Sequence, residues 1–217
     1  MLEVKNLMVF FENALAINGL SLEVNKGEII GVIGSNSAGK TTLMNTISGL
    51  IIDMRIKEKR KGGERITIYG QVLYEGQDIT ESPPNQRVKL GIVLSRERHP
   101  IFPESSVLEN LKIAGYLRKR SEIKESMDYV FELFPVLTKL KKRNAGFLSG
   151  GEQQMLAIGM ALVVRPGLLL LDEPLLGLSP MMQHSVVEAI VSLNRNSNIT
   201  VLLSEQFARP VLPVIDR

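Results

Sequence analysis

The 217-residue chain is 44% hydrophobic and carries a net charge of only +3, from 26 basic and 23 acidic residues. That length fits one large α/β domain or a core with a small appended subdomain, the apolar content excludes disorder, and so small a charge announces no nucleic acid. With no cysteine, disulfides and thiolate metal sites are excluded and nothing marks a secreted protein.

The opening Met-Leu-Glu-Val-Lys-Asn lacks the charged-then-apolar order of a signal peptide. Apolar and polar residues alternate at Leu2 and Val4 and again at Leu20, Leu22 and Val24, as in short, half-exposed antiparallel strands. Lys26-Gly27 is a turn, residues 28–33 form a β-rich run into Gly34, and Leu43, Ile47 and Leu50 then fall at helical spacing. A polar, basic stretch at 55–65 interrupts the pattern and is expected as a solvated, mobile excursion before strands resume over 66–74. From about 103 to 164 the periodicity is helical, with Val107, Leu108, Leu111 and Ala114 on one helix face and Val130, Leu133 and Phe134 on another. The chain is therefore expected as a single domain over 1–217, with a core at 1–98 and 165–217 and a helical subdomain inserted over about 99–164. The leucine run at 168–171 is what a parallel strand buried on both faces requires. Ser179 and Pro180 suit an N-cap and a first helical position, and 199–203 is a second buried strand. The longest apolar runs, 160–164 and 168–171, fall far below the roughly 18 residues that span a bilayer. Any membrane role is expected to come through a partner, with the chain in the cytoplasm.

Three motifs carry chemistry. Gly34-Ser35-Asn36-Ser37-Ala38-Gly39-Lys40-Thr41 satisfies G-x-x-x-x-G-K-[ST], between a strand and a helix. Small residues there let successive backbone N–H groups turn inward around phosphate oxygens, and the helix that begins at Lys40 adds its positive end. Lys40 places a point charge near the β- and γ-phosphates of ATP, and Thr41 offers a hydroxyl to Mg²⁺. Leu171-Asp172-Glu173-Pro174 ends the leucine strand; Asp172 is the acidic partner of Thr41 at the metal, and Glu173 can take a proton from the attacking water. Alone, those two acids would read as turn caps. In Leu148-Ser149-Gly150-Gly151-Glu152-Gln153-Gln154, Ser149 and Glu152 form a capping box. The box does not explain Gly150 and Gly151, which weaken a first turn but let another surface approach its exposed N–H groups. One chain has one such helix end and one phosphate loop, so the economical arrangement is two chains head to tail.

In this order and spacing, the three motifs resemble those of an ABC transporter nucleotide-binding subunit, and the resemblance runs over essentially the whole chain. It is closest to the ATPase subunits of branched-chain amino-acid importers, through Met1-Leu2-Glu3-Val4-Lys5, Glu132-Leu133-Phe134-Pro135 before a basic patch, residues 149–159, and Pro174-Leu175-Leu176-Gly177-Leu178-Ser179-Pro180. The resemblance implies an α/β fold: a RecA-like P-loop core with an antiparallel β subdomain and an ABC-type helical arm. It implies ATP hydrolysis with Mg²⁺, nucleotide contacts from residues 34–42 including Thr42, and contacts from Ser149, Gly150, Gly151 and Glu152 to the partner's nucleotide. Phe11 falls where an aromatic ring stacks on adenine, with Phe10 as understudy; core packing is the other reading of both. Thr41, Asp172 and Glu97 are the implied metal contacts, Glu97 standing in the loop between core and arm where the family usually has glutamine. Gln206 falls at the place of a switch histidine, beside Glu173 as the catalytic group. Ser179 replaces an aspartate common at the dimer seam, and Ser37 a frequent glycine. The implied partners are transmembrane permease subunits, a second identical or paralogous ATPase subunit, and indirectly a solute-binding protein, with no nucleic acid. The implied location is peripheral, on the inner face of the cell membrane.

Two other functions stay open on the residues: import of another solute, and a soluble ABC ATPase of translation or DNA. The latter usually has tandem cassettes or a long coiled-coil insertion, and neither is present. A nucleotide switch without turnover is opposed by Glu173. His99 and His184 stand alone and are not read as ligands; Met181 and Met182 read as packing.

Overall fold

The computed structural model describes residues 1–97 and 100–217. His99 lies outside the described residues. The chain opens on a long hairpin of β1 (Leu2–Phe11) and β2 (Ala14–Val24). Its free edge takes β4 (Ile66–Tyr74) and then β5 (Gln77–Asp78), giving an antiparallel sheet of order β2-β1-β4-β5. These strands are longer than the alternation alone suggests, because register shifts along β1 keep Leu2, Val4, Leu7 and Val9 buried over its whole length.

The second sheet is parallel, of order β3-β8-β7-β6, from β3 (Ile29–Ile33), β6 (Ile92–Ser95), β7 (Leu168–Asp172) and β8 (Thr200–Glu205). Alternate leucines of β7 serve different cores. Leu168 and Leu170 pack with the hairpin and with α1 (Lys40–Ser48); Leu169 and Leu171 share a core with α4 (Val107–Ala114), α5 (Arg120–Leu133), α6 (Pro135–Lys139), α7 (Gly150–Val163) and α8 (Pro180–Ser197). A strand loaded on both faces has no polar side to show. The parallel core, antiparallel sheet and helices between β6 and β7 form the α/β architecture that the resemblance implies.

The basic stretch is a correction. Residues 55–61 belong to α2 (Leu50–Lys61), a helix bounded by left-handed Gly49 (φ 83°) and Gly62 (φ 63°). It buries only Ile51 and Ile52, and Lys59, Arg60 and Lys61 crowd its last turn, where cations suit the helix end. Next to it, Arg87 of α3 (Pro84–Lys89) is fully buried, and its guanidinium donates to Thr46 O at 2.7 Å, Ile47 O at 2.9 Å, Thr80 O at 2.9 Å and Ser82 O at 2.9 Å. Arg87 thereby satisfies carbonyls at the C-terminal end of α1. Burial brings its pKa down to about 10, so it stays charged at neutral pH.

Candidate active site

The phosphate loop joins β3 to α1. Gly39, the N-cap of α1, has φ 90°, and a Cβ there would lie 2.5 Å from Ala16 O, so both conformation and space require glycine. Ser37 adopts φ 64° without being glycine, a strained choice of about 1–2 kcal/mol. Lys40 is 6% exposed, and its Nζ donates to Gly34 O at 2.8 Å and Ser35 O at 3.0 Å and lies 3.1 Å from Glu173 Oε1. Three donors thus meet three acceptors, and the ammonium is saturated.

The acids come from β7, held by its neighbour β8. Thr41 Oγ1 donates to Asp172 Oδ1 at 3.3 Å, and Ser204 Oγ donates to the same oxygen at 2.7 Å. Glu173 leaves the strand with φ 48°, and its N–H lies 3.1 Å from Ser204 O and 3.2 Å from Ser204 Oγ. Two residues on, Leu175 N–H donates to Glu205 Oε1 at 2.8 Å. Burial drives the Glu205 carboxyl up to about 7, against the downward pull of the Leu175 N–H, while the nearby Glu173 raises it and Lys40 lowers it. Ser204, Glu205 and Arg87 were not singled out by the sequence reading. Ser204 and Glu205 carry one cue, polar side chains at the end of an apolar strand, whereas Arg87, on α3, carries none.

An open cavity of about 500 Å³ adjoins the loop, lined by Asn36, Ser37, Gly39, Lys40, Thr41 and Thr42, with Glu97 and Glu173 opposite and Ala16 and Leu176 at its apolar side. Asp172 sits beneath, 3% exposed. The hydroxyl of Thr41 and the carboxylate of Asp172 are hard oxygen donors beside a phosphate cradle, a set that fits Mg²⁺. Phe11 and Gln206 are not in that lining. Phe11 is half-buried and packs on the core beneath the antiparallel sheet, while Phe10 meets Tyr69 edge-on with centroids 6.1 Å apart. Gln206 is half-buried, immediately after β8.

Ser149, Gly150 and Glu152 also stand away from their own chain's cavity, at the start of α7. The capping box is formed, with Ser149 N–H donating to Glu152 Oε2 at 2.7 Å and Glu152 N–H to Ser149 Oγ at 3.4 Å. Gly150 is exposed with open space around it, but Gly151 is buried and an added Cβ would collide with Met182 of α8. Close approach from outside therefore accounts for one glycine, and packing within the chain for the other. Met182 packs as expected, whereas Met181 is 74% exposed. His184 pairs with Glu188 one turn along α8 at 3.2 Å.

Residues 17–176 match the ABC transporter family. The chain belongs to that family. As an ABC cassette it binds and hydrolyses ATP. It is 37% identical to the high-affinity branched-chain amino acid transport ATP-binding protein BraG of Pseudomonas aeruginosa, covering 100% of this chain and 87% of that protein. It is 36% identical to the probable branched-chain amino acid transport ATP-binding protein LivF of Archaeoglobus fulgidus, covering 100% of this chain and 86% of that protein. Among solved structures, a nucleotide-free ATP-binding cassette from an ABC transporter matches with a TM-score of 0.83 at 29% identity, over 100% of this chain and 85% of that one. No helix among the described residues is long and apolar enough to cross a membrane.

Proposed function

We propose that this cassette powers import of branched-chain or related amino acids, as one half of a head-to-tail ATPase pair under transmembrane permease subunits at the inner face of the membrane. The observation that carries the substrate class is full-length similarity to BraG and LivF, whose names state that cargo. The chemistry rests on the convergence of Lys40, Thr41, Asp172 and Glu173 at one cavity.

In this reading, ATP seats its phosphates on the N–H groups of residues 34–42, with Phe11 beside adenine. The β- and γ-phosphate oxygens draw Lys40 Nζ away from Gly34 O, Ser35 O and Glu173. Glu173, released from that ion pair, becomes free to take a proton from the attacking water. Thr41 and Asp172 would hold Mg²⁺, with Glu97 on the same cavity; the bound ion supplies neutralising charge on the phosphates. Ser149, Gly150, Gly151 and Glu152 present the start of α7 to the partner's nucleotide, and Gln206 offers a neutral donor and acceptor next to the γ-phosphate. The helices between β6 and β7, about 99–164, form the arm that follows nucleotide state.

The test is uptake of labelled leucine, isoleucine and valine into vesicles carrying this cassette with the permease subunits that co-purify with it. ATP-dependent accumulation of one of them is expected. ATP-dependent uptake of a chemically unrelated solute, with none of the three, would overturn the assignment.

A further inference from the structure

Glu205 is a buried carboxyl to which the chemistry above gives no task. It ends β8, is 5% exposed, and touches both halves of the site. Its side-chain Oε1 accepts the Leu175 N–H at 2.8 Å, and its backbone oxygen accepts the Gly34 N–H at 3.2 Å, at the first residue of the phosphate loop. Between these anchors lies Glu173, held at φ 48°, a conformation that a residue with a Cβ rarely adopts. At that left-handed step the Glu173 carboxylate lies 3.1 Å from Lys40 Nζ. The turn closes with Leu176 N–H donating to Glu173 O at 3.2 Å, so Leu175 stands within it and its N–H fixes where the turn sits. Strained backbone persists only where its surroundings over-determine it, and a buried acceptor at Leu175 supplies that constraint.

We propose that Glu205 is a positioning residue for ATP hydrolysis, tethering the Leu175 N–H so that the left-handed turn aims Glu173 at the phosphate cavity. The proposal rests on the reading of Glu173 as the base. The tether needs an oxygen acceptor, which a neutral carboxyl, a carboxylate and an amide each provide. Its charge matters separately. Burial favours the neutral acid up to about pH 7, and above that a second negative charge faces Glu173 from β8. The charged groups around it are Glu173 on the turn, Lys40 on α1 and, one strand over, Asp172 in register with Ser204. Ionised Glu205 sets a second negative charge beside Glu173, so turnover should change through neutral pH in a way that an amide at 205 abolishes.

The experiment measures kcat and KM for ATP from pH 6 to 8.5 on the full chain, for the parent, Glu205→Gln, Glu205→Ala and Glu173→Gln. Glu205→Ala should lower kcat roughly 10- to 100-fold, the scale of a misplaced catalytic group, with KM little changed. Glu205→Gln should restore most of the parental kcat and lose the inflection near pH 7. Parental kcat for Glu205→Ala, alongside a crippled Glu173→Gln, overturns the positioning role alone. Parental turnover by Glu173→Gln removes the base, and the proposal falls with it. If Glu205→Ala does not fold, Glu205→Leu, which fills the space but offers the Leu175 N–H no oxygen, decides: a parental kcat in that variant refutes the proposal.

Discussion

The buried Glu205 also makes a thermodynamic prediction that needs no catalysis. Its pKa is raised in the fold to about 7 from an ordinary 4.5. A carboxyl with a raised folded pKa contributes stability in full below the unfolded value, and that contribution is lost as pH climbs through the folded one. The window therefore runs from pH 4.5 to about 7, in which the unfolded chain ionises Glu205 before the fold does. The displacement from 4.5 to about 7 corresponds to at most about 3 kcal/mol. Glutamine keeps an oxygen for the Leu175 N–H and has nothing to titrate, so Glu205→Gln should gain on the parent by up to about 3 kcal/mol between pH 4.5 and 8. Titrating groups remote from Glu205 are common to the two proteins and cancel in the difference; Glu173 and Lys40, which feel its charge, add a smaller second contribution. Urea unfolding of both proteins across this range supplies the two stability curves. Curves that stay parallel would mean that Glu205 is solvated or paired in the fold as it is in the unfolded chain, and would refute the reasoning.

Three further outcomes follow from the geometry. Lys40→Ala should abolish tight MgATP binding, because it removes the cation that the loop holds 2.8 Å from Gly34 O, and calorimetry showing parental affinity would take the phosphate loop out of the mechanism. Arg87→Met should destabilise the fold by about 3 kcal/mol, since it takes a buried guanidinium from four carbonyls, two of them buried at the end of α1 and only Thr46 O keeping a second donor, the Gly49 N–H; a melting curve unchanged from the parent's contradicts this. Ser149→Arg should leave ATP binding by the single chain intact and block the ATP-dependent dimer, and mixing it with Lys40→Ala should restore one composite site per heterodimer. A mixture that forms no such dimer, where the parent does, refutes the head-to-tail arrangement.

What could be seen in the sequence was local. The Ser149–Glu152 capping box, the Ser179 cap and the leucine run each depend on residues a few positions apart, and each is present in the structure. The phosphate loop and the two acids were legible because their spacing encodes their chemistry. Helix α2 was obscured because it buries only Ile51 and Ile52, leaving almost no apolar stripe to read. Its boundaries were available: Gly49 before it, Gly62-Gly63 after it and cations in its last turn. Ser204 reaches Asp172 from 32 positions away, the Glu205 side chain reaches Leu175 from 30, and Arg87 reaches Thr46 from 41, relations that no local pattern carries.

Strand order explains why so much depends on the end of β8. In the sheet β3-β8-β7-β6, β8 lies between the strand that leads into the phosphate loop and the strand that delivers the acids. The carboxyl ends of parallel strands are where α/β proteins place ligands, and here each of the three ends does different work. β3 releases the chain into Gly34, β7 ends in Asp172 and Glu173, and β8 contributes no group that reacts. It joins the other two instead: Glu205 O to the Gly34 N–H, Ser204 Oγ to Asp172, and Glu205 Oε1 to Leu175. The loop that begins at Gly34 and the turn that begins at Glu173 are therefore braced on two adjacent residues of one strand. Across them Lys40 and Glu173 meet at 3.1 Å, the contact that nucleotide would divide in the function proposed above.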